Sequence, residues 1–246
     1  MTNLLHSRGL PAAVVAIGFA VIARTSGGVT DGGAMVGVLV AFVLMVAAGL
    51  AGFVPLVTVF VITLLATRWG YTRKQRLGVA ERGRGRKASQ VAANLLATAF
   101  CALPVIWYPR FSGVLLVGAM AALAEAAADT ASSEIGQAIA SNVYMITNFR
   151  EAPIGTNGAV SAEGTLSGCI AASVVAWAAA LVGVVGLAWT PVIAISGVAG
   201  MFLDSLLGAT WENSGRMGND AVNFVSTVFA AELALTIAMV MEKVRP

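Results

Sequence analysis

The sequence predicts an all-α fold: a polytopic membrane bundle of about eight transmembrane helices, forming one integral-membrane domain over residues 1–246. Composition is the first reason. Of the 246 residues 58% are hydrophobic and 11% charged, with a mean hydropathy of +0.85, whereas a soluble domain keeps roughly a quarter of its residues charged. Such a chain has too little polar surface to face water, which excludes both an ordinary soluble enzyme and a disordered chain. The second reason is a series of apolar runs suited to the ~30 Å hydrocarbon layer. Third, long polar connections alternate with short turns, as they must when successive spans deliver their loops to opposite sides.

Taken in order, the runs are 10–23, 33–48, 49–66, 88–106, 111–128, 165–189, 191–208 and 221–241. The first is short enough to be re-entrant or interfacial, so seven spans is the alternative count. Only Gly49, Gly52 and Pro55 separate the second from the third. With eight spans, 24–32, 67–87, 129–164 and 209–220 share one side with polar loops clustered there, and the short turns and both termini share the other. The first side holds Arg24, Arg68, Arg73, Lys74, Arg76, Arg82, Arg84, Arg86, Lys87, Arg150 and Arg216; the second holds Arg8, Arg110, Lys243 and Arg245. Eleven basic residues against four make the first side cytoplasmic. A cleavable signal peptide is not indicated, because no convincing cleavage region follows the first run. The expected location is the cell membrane if the source is prokaryotic.

The single histidine, His6, lies beside the N-terminus, which argues against a Ser-His-Asp arrangement or a His-ligated zinc site. Cys101 and Cys169 fit neither a CxxC spacing nor a disulfide framework and read as packing residues. The net charge is +3, and the basic residues are concentrated in the 68–87 loop, a membrane signal rather than a nucleic-acid footprint.

Several polar motifs interrupt this pattern. Residues 129–136 (DTASSEIG) bring Asp129, Thr130, Ser132, Ser133 and Glu134 together after an alanine-rich span. Hard cations such as Mg2+ take one or two carboxylates and fill other positions with phosphate oxygens, so this reads as half of a metal site; an Asp N-cap on a short cytoplasmic helix is the competing reading. Glu125, one turn earlier, is a candidate supporting carboxylate. Residues 154–165 (IGTNGAVSAEGT) offer Gly155, Thr156, Asn157, Gly158 and Ser161, with Thr165 expected to open a helix. Exposed backbone N–H groups and a helix N-terminus attract phosphate, although an ordinary Asn-Gly turn has the same composition. Neither a Walker motif nor a Rossmann context is present. Asp204, with Ser205, sits among apolar residues, where an ionised carboxylate needs a partner or a cation. Asn219, Asp220 and Asn223 open the last span, and Glu232 lies deep within it as either a proton-relay group or a helix contact. The basic loop is topogenic in part; among Arg68, Lys74, Arg84, Arg86 and Lys87 some are candidates to clamp phosphates, with Gln90 and Asn94 extending the polar stripe into the membrane.

In combination, Thr67-Arg68 with Lys74, Arg86 with QVAAN (90–94), DTASSEIG, GTNGAVSAEGT and DSLLG (204–208) with Asn223 resemble the membrane family that contains plant and cyanobacterial phytyl-phosphate kinase. The resemblance runs from about Gly33 to the last span, with Thr30 to Ala34 fitting loosely. It implies a CTP-dependent kinase that converts an isoprenoid monophosphate to the diphosphate at a Mg2+ site open to the cytoplasm. On this reading Asp129, Glu134 and Asp204 hold Mg2+, and Lys74, Asp129 and Glu134 are catalytic. Arg68, Lys74, Arg86, Asn94, Thr130, Ser133, Gly155, Thr156, Asn157, Gly158 and Ser161 bind nucleotide and phosphate, with Ser205 and Asn223 in support. The expected partners are an isoprenoid phosphate, a nucleotide and the bilayer; a homodimer is compatible and nucleic acid is not expected. The competing function is a transporter or flippase of an anionic lipid or metabolite, favoured by Asp204, Glu232 and the many glycines but opposed by polar motifs confined to one side. A ligand-free scaffold leaves those motifs without purpose.

Overall fold

The computed structural model describes residues 4–80 and 85–244. Nine helices carry the chain there: α1 (Leu4–Thr25), α2 (Asp31–Ala48), α3 (Phe53–Arg68), α4 (Tyr71–Leu77), α5 (Ala88–Ala102), α6 (Ser112–Ile139), α7 (Ala162–Leu181), α8 (Thr190–Leu207) and α9 (Asn219–Val244). All but the two-turn α4 belong to the eight stretches that are long and apolar enough to cross a membrane. The expected all-α membrane bundle is therefore the fold, with eight spans rather than seven. Arg82, Arg84 and Arg245, used above to assign sidedness, lie outside the described residues.

Three boundaries differ from expectation, each for a local reason. The first span is a full 22-residue helix starting at Leu4 rather than an interfacial piece. Its Arg8 does not interrupt it, because the guanidinium donates to the Val46 and Ala47 carbonyls at the end of α2, satisfying groups that a helix terminus leaves open. The fifth span does not stop at residue 128. Alanine is the strongest helix former, and α6 runs 28 residues to Ile139, carrying Asp129 to Gly136 inside the helix and removing the N-cap reading of Asp129. The expected long loop is thereby reduced to 140–161, and it folds into three short antiparallel strands, β1 (Val143–Met145), β2 (Glu151–Ala152) and β3 (Ala159–Val160), in the order β2-β1-β3. Finally, Thr165 does not open the sixth span. α7 starts at Ala162, and Ser161 is its N-cap, accepting from the Gly164 N–H at 3.0 Å.

α6 is the axis of the bundle, packing against α3, α5, α7, α8 and α9. From Leu116 to Ala128 every residue of this helix is buried. Lipid tails are as apolar as the helix surfaces, so close backbone approach supplies the association energy, and small residues permit it. The alanines of α6 serve that purpose, and its polar stretch follows them toward the helix C-terminus.

Candidate active site

At the polar end of α6 the motifs separated in sequence meet around one cavity of about 330 Å³. α6 contributes Asp129, Thr130, Ser133 and Glu134; α5 contributes Asn94, and Arg86 lies two residues before that helix. The segment after β2 contributes Gly155, Thr156, Asn157, Gly158 and Ser161, and α8 and α9 close the ring with Asp204, Ser205 and Asn223. Gln90, Ser132, Gln137, Glu212 and Asn219 line it as well. Ser132 and Gln137 had no assigned role in the sequence, yet both follow from helical spacing once α6 is known to continue past Asp129, because positions three and eight residues on stay near the same face.

Asp129 and Asp204, on different helices, lie within hydrogen-bonding reach of each other. Ser226 of α9 donates to Asp204 Oδ2 at 3.2 Å and to the Asn223 carbonyl at 3.0 Å. Behind this pair Glu125 is 1% exposed, and neither of its carboxylate oxygens has a hydrogen-bond partner among the described residues. Ser226 was not singled out in the sequence; a serine inside an apolar helix carries no signal until its neighbour is known.

Arg86 is the cation of the cavity, and its position is built from a distant segment. Its N–H donates to the Gly28 carbonyl and its carbonyl accepts from the Thr30 N–H, both at 3.0 Å. Gly33 lets this clip close: a Cβ there would lie 2.5 Å from the Arg86 carbonyl oxygen. So anchored, the guanidinium donates to Thr130 Oγ1 at 3.2 Å, while its buried Nε has no partner among the described residues. The Thr30 to Ala34 stretch, loosely matched in sequence, thus sets the register of Arg86.

Two residues expected to bind phosphate stand elsewhere. Lys74 is 1% exposed, and its ammonium is consumed by the Thr67 carbonyl at 2.7 Å, the Ala66 carbonyl at 3.1 Å and an ion pair with Glu134. It closes the end of α3 and ties it to α6, and it does not line the cavity. Arg68 is exposed and donates to the Ser26 carbonyl, away from the cavity. Glu134 lines the cavity while paired with Lys74. Glu232, deep in the last span, is exposed on the outer face of α9 and does not line the cavity. Lys74→Ala is expected to destabilise the protein by about 3 kcal/mol, the scale for removing one partner of a buried pair. It should appear as a lowered Tm in detergent, largely regained in Lys74→Met/Glu134→Gln; an unchanged Tm would return Lys74 to the phosphate site.

The glycine-rich segment is held as a rigid wall. Gly158 has φ +77°, and a Cβ there would lie 2.4 Å from Ala209, so this position demands glycine on both counts. Asn213 Nδ2 donates to the Asn157 carbonyl at 3.0 Å, and Ala209 belongs to a π-helical turn, Gly208–Glu212, a widening typical of functional sites. Gly158→Ala should detach the segment, read as faster proteolysis between residues 146 and 161 with the membrane helices intact; unchanged protection would show that the docking is dispensable.

With Glu134 paired, the cavity sets Asp129, Asp204 and Glu212 against Arg86 alone among its described residues. Among those residues no three carboxylate, thiol or imidazole groups converge as a ready-made cage. Mg2+ takes one or two carboxylates and completes its shell with water and phosphate, and the residues here that could hold it are Asp129 and Asp204. Beside the polar cavity runs an apolar groove of about 90 Å³ between α1, α2, α3 and α5, and Arg86 and Asn94 line both.

Comparison with known proteins agrees with this placement in the membrane. The model of the family described as integral membrane protein DUF92 matches residues 14–231. An uncharacterized membrane protein, sll0875, of Synechocystis sp. is 30% identical over 198 residues, 79% of this chain and 77% of the relative. The chloroplastic protein VTE6 of Arabidopsis thaliana is 30% identical over 194 residues, covering 76% of this chain and 58% of the plant protein. An uncharacterized membrane protein, MJ0933, of Methanocaldococcus jannaschii is 28% identical over 205 residues, 81% of each chain. No solved structure matches.

Proposed function

The chain belongs to the DUF92 family of integral membrane proteins, and on that premise we propose that it is a prenyl-phosphate kinase, using CTP and Mg2+ to convert an isoprenoid monophosphate to the diphosphate. The similarity to VTE6 and the motif resemblance to phytyl-phosphate kinases support the reaction class. One structural observation carries the reading: the polar cavity and the apolar groove share Arg86 and Asn94. An amphiphilic phosphate placed there has its tail among apolar side chains, its phosphate at the guanidinium and its outer oxygens facing the carboxylate pair.

The acceptor phosphate is already a nucleophile, so no histidine or other general base is required. Its oxygen forms a bond to the γ-phosphorus while the bond to the β–γ bridging oxygen breaks, and the electron pair leaves with the nucleoside diphosphate. Asp129 and Asp204 would hold Mg2+, which would supply charge neutralisation for phosphoryl transfer. Arg86 holds and neutralises the acceptor phosphate; Asn94 orients it. The segment from Gly155 to Gly158 and the N-terminus of α7 at Ser161 bind the nucleotide phosphates through backbone N–H groups. The site faces the side that carries eleven of the fifteen basic residues, which we propose is the cytoplasm.

The test uses detergent-purified protein with Mg2+, radiolabelled CTP and phytyl, geranylgeranyl and farnesyl monophosphates. Labelled prenyl diphosphate, lost in Asp129→Asn, is the expected result. Absence of transfer from folded protein across a panel of nucleotides and acceptors would remove the kinase and favour transport, with reconstituted uptake as the next measurement.

A further inference from the structure

The apolar groove is small and has an unusual wall. A cavity of 150 Å³ takes a six-carbon benzene ring, so on the same scale about 90 Å³ accommodates about four carbons, the backbone of at most one isoprene unit and not a whole prenyl chain. Its head is Arg86, whose buried Nε lacks a partner among the described residues, and Asn94. On the side away from α6 the rings of Phe19 and Phe60 line it together with Ala16, Ala20, Leu56 and Val59. Phe19 of α1 meets Phe53 and Phe60 of α3 edge to face, each pair with centroids 5.1 Å apart, and α1 otherwise packs along α2. Side chains rather than packed backbones therefore close the groove between α1 and α3, and α1 beyond them presents Val14, Ile17 and Val21 outward. Gly37 of α2 lines the groove and has nothing within 4 Å of the position a Cβ would take.

We propose that this groove binds the phosphate-proximal isoprene unit of the acceptor and that the remaining chain leaves between Phe19 and Phe60 into the bilayer. The occupant is the apolar end of a phosphate monoester, because an uncharged chain alone leaves the guanidinium at the groove's head unmatched. Selection then falls on the first isoprene unit and not on chain length. This inference rests on the kinase reading for the identity of the acceptor, but the groove can be tested independently of turnover.

The probes are two farnesyl monophosphate analogues, one with a diazirine in the first isoprene unit and one with it in the last, photolysed with the wild-type protein in phospholipid nanodiscs and mapped by mass spectrometry. The proximal probe is expected to label the groove at Phe60, Val91 or Leu95, and the terminal probe to label phospholipid or the outer face of α1. Groove labelling by the terminal probe, or proximal labelling abolished by added phosphatidylcholine, would overturn the proposal, the latter by identifying an ordinary lipid site. Gly37→Leu places its Cβ where nothing lies within 4 Å and adds apolar bulk to the groove; it should lower proximal labelling and raise the KM for geranyl, farnesyl and geranylgeranyl monophosphates alike by about tenfold, the scale for crowding an apolar pocket, with the nucleotide KM unchanged. An acceptor KM unaffected by Gly37→Leu, or raised for the longer chains alone, would overturn it. Groove labelling without phosphoryl transfer upholds the groove and removes the kinase, whereas transfer with labelling outside the groove overturns the groove and leaves the kinase.

Discussion

Asp129→Asn or Asp204→Asn is expected to lower kcat for phosphoryl transfer by roughly 10²–10³-fold, the range for losing one preorganised electrostatic element of an active site. The two carboxylates come from α6 and α8 and lie within hydrogen-bonding reach of each other. Two carboxylates this close inside a membrane protein repel unless a proton or a cation lies between them. Asparagine preserves size and removes that repulsion, so either variant should fold and insert at least as well as wild type. The diagnostic pattern is a retained or raised Tm together with lost turnover and lost Mg2+-dependent protection by CTP. Near-normal turnover in either variant would remove that residue from the site. If both Tm and turnover fall together, the pair is structural and the metal assignment fails.

Arg86→Ala should be of similar or greater consequence, with transfer reduced roughly 10³-fold, the lower end of the effect of removing an arginine from a phosphoryl-transfer site. Arg86→Lys should recover little of it, because a lysine supplies a point charge without the planar fork that matches phosphate oxygens. The effect is expected in the acceptor KM as well as kcat, since Arg86 stands at the head of the apolar groove. The control is Arg68→Ala: Arg68 is exposed and bonded to the Ser26 carbonyl, so its loss should leave acceptor KM within about twofold, as surface changes away from such features usually do. Equal effects of the two substitutions would show that the basic loop acts by its overall charge rather than through Arg86.

Much of the candidate site was legible because its chemistry sits in short, unusual strings. The acidic stretch at 129–134, the glycine-rich stretch at 155–161 and Asp204 all stood out against an apolar background, and each reaches the same cavity. What misled was treating polarity as the end of a span. Alanine propensity carried α6 through Asp129 and Glu134, so residues read as a loop became two faces of one helix. Five residues apart on a helix is 140° of rotation, enough to send Glu134 to Lys74 while Asp129 meets Asp204.

Lys74 shows the same limit from the other side. A lysine beside an arginine-rich loop has the composition of a phosphate ligand, and only its surroundings, the carbonyls ending α3 and the carboxylate of Glu134, convert it into a tether. Arg86 looked like one member of that loop; its special position comes from Gly28, Thr30 and Gly33, more than fifty residues earlier.

The amino-acid sequence by itself determined that the chain crosses a membrane, the approximate positions of its spans and the types of polar residue it carries inward. Transfer into hydrocarbon is close to a sum over residues in a window, so it is readable locally. Only the tertiary structure decided which carboxylates pair, which cation remains at the cavity and that an apolar groove begins at the same arginine. Those outcomes depend on the rotation and register of helices far apart in sequence, set by the close packing of small residues around α6, and no local sum contains that information.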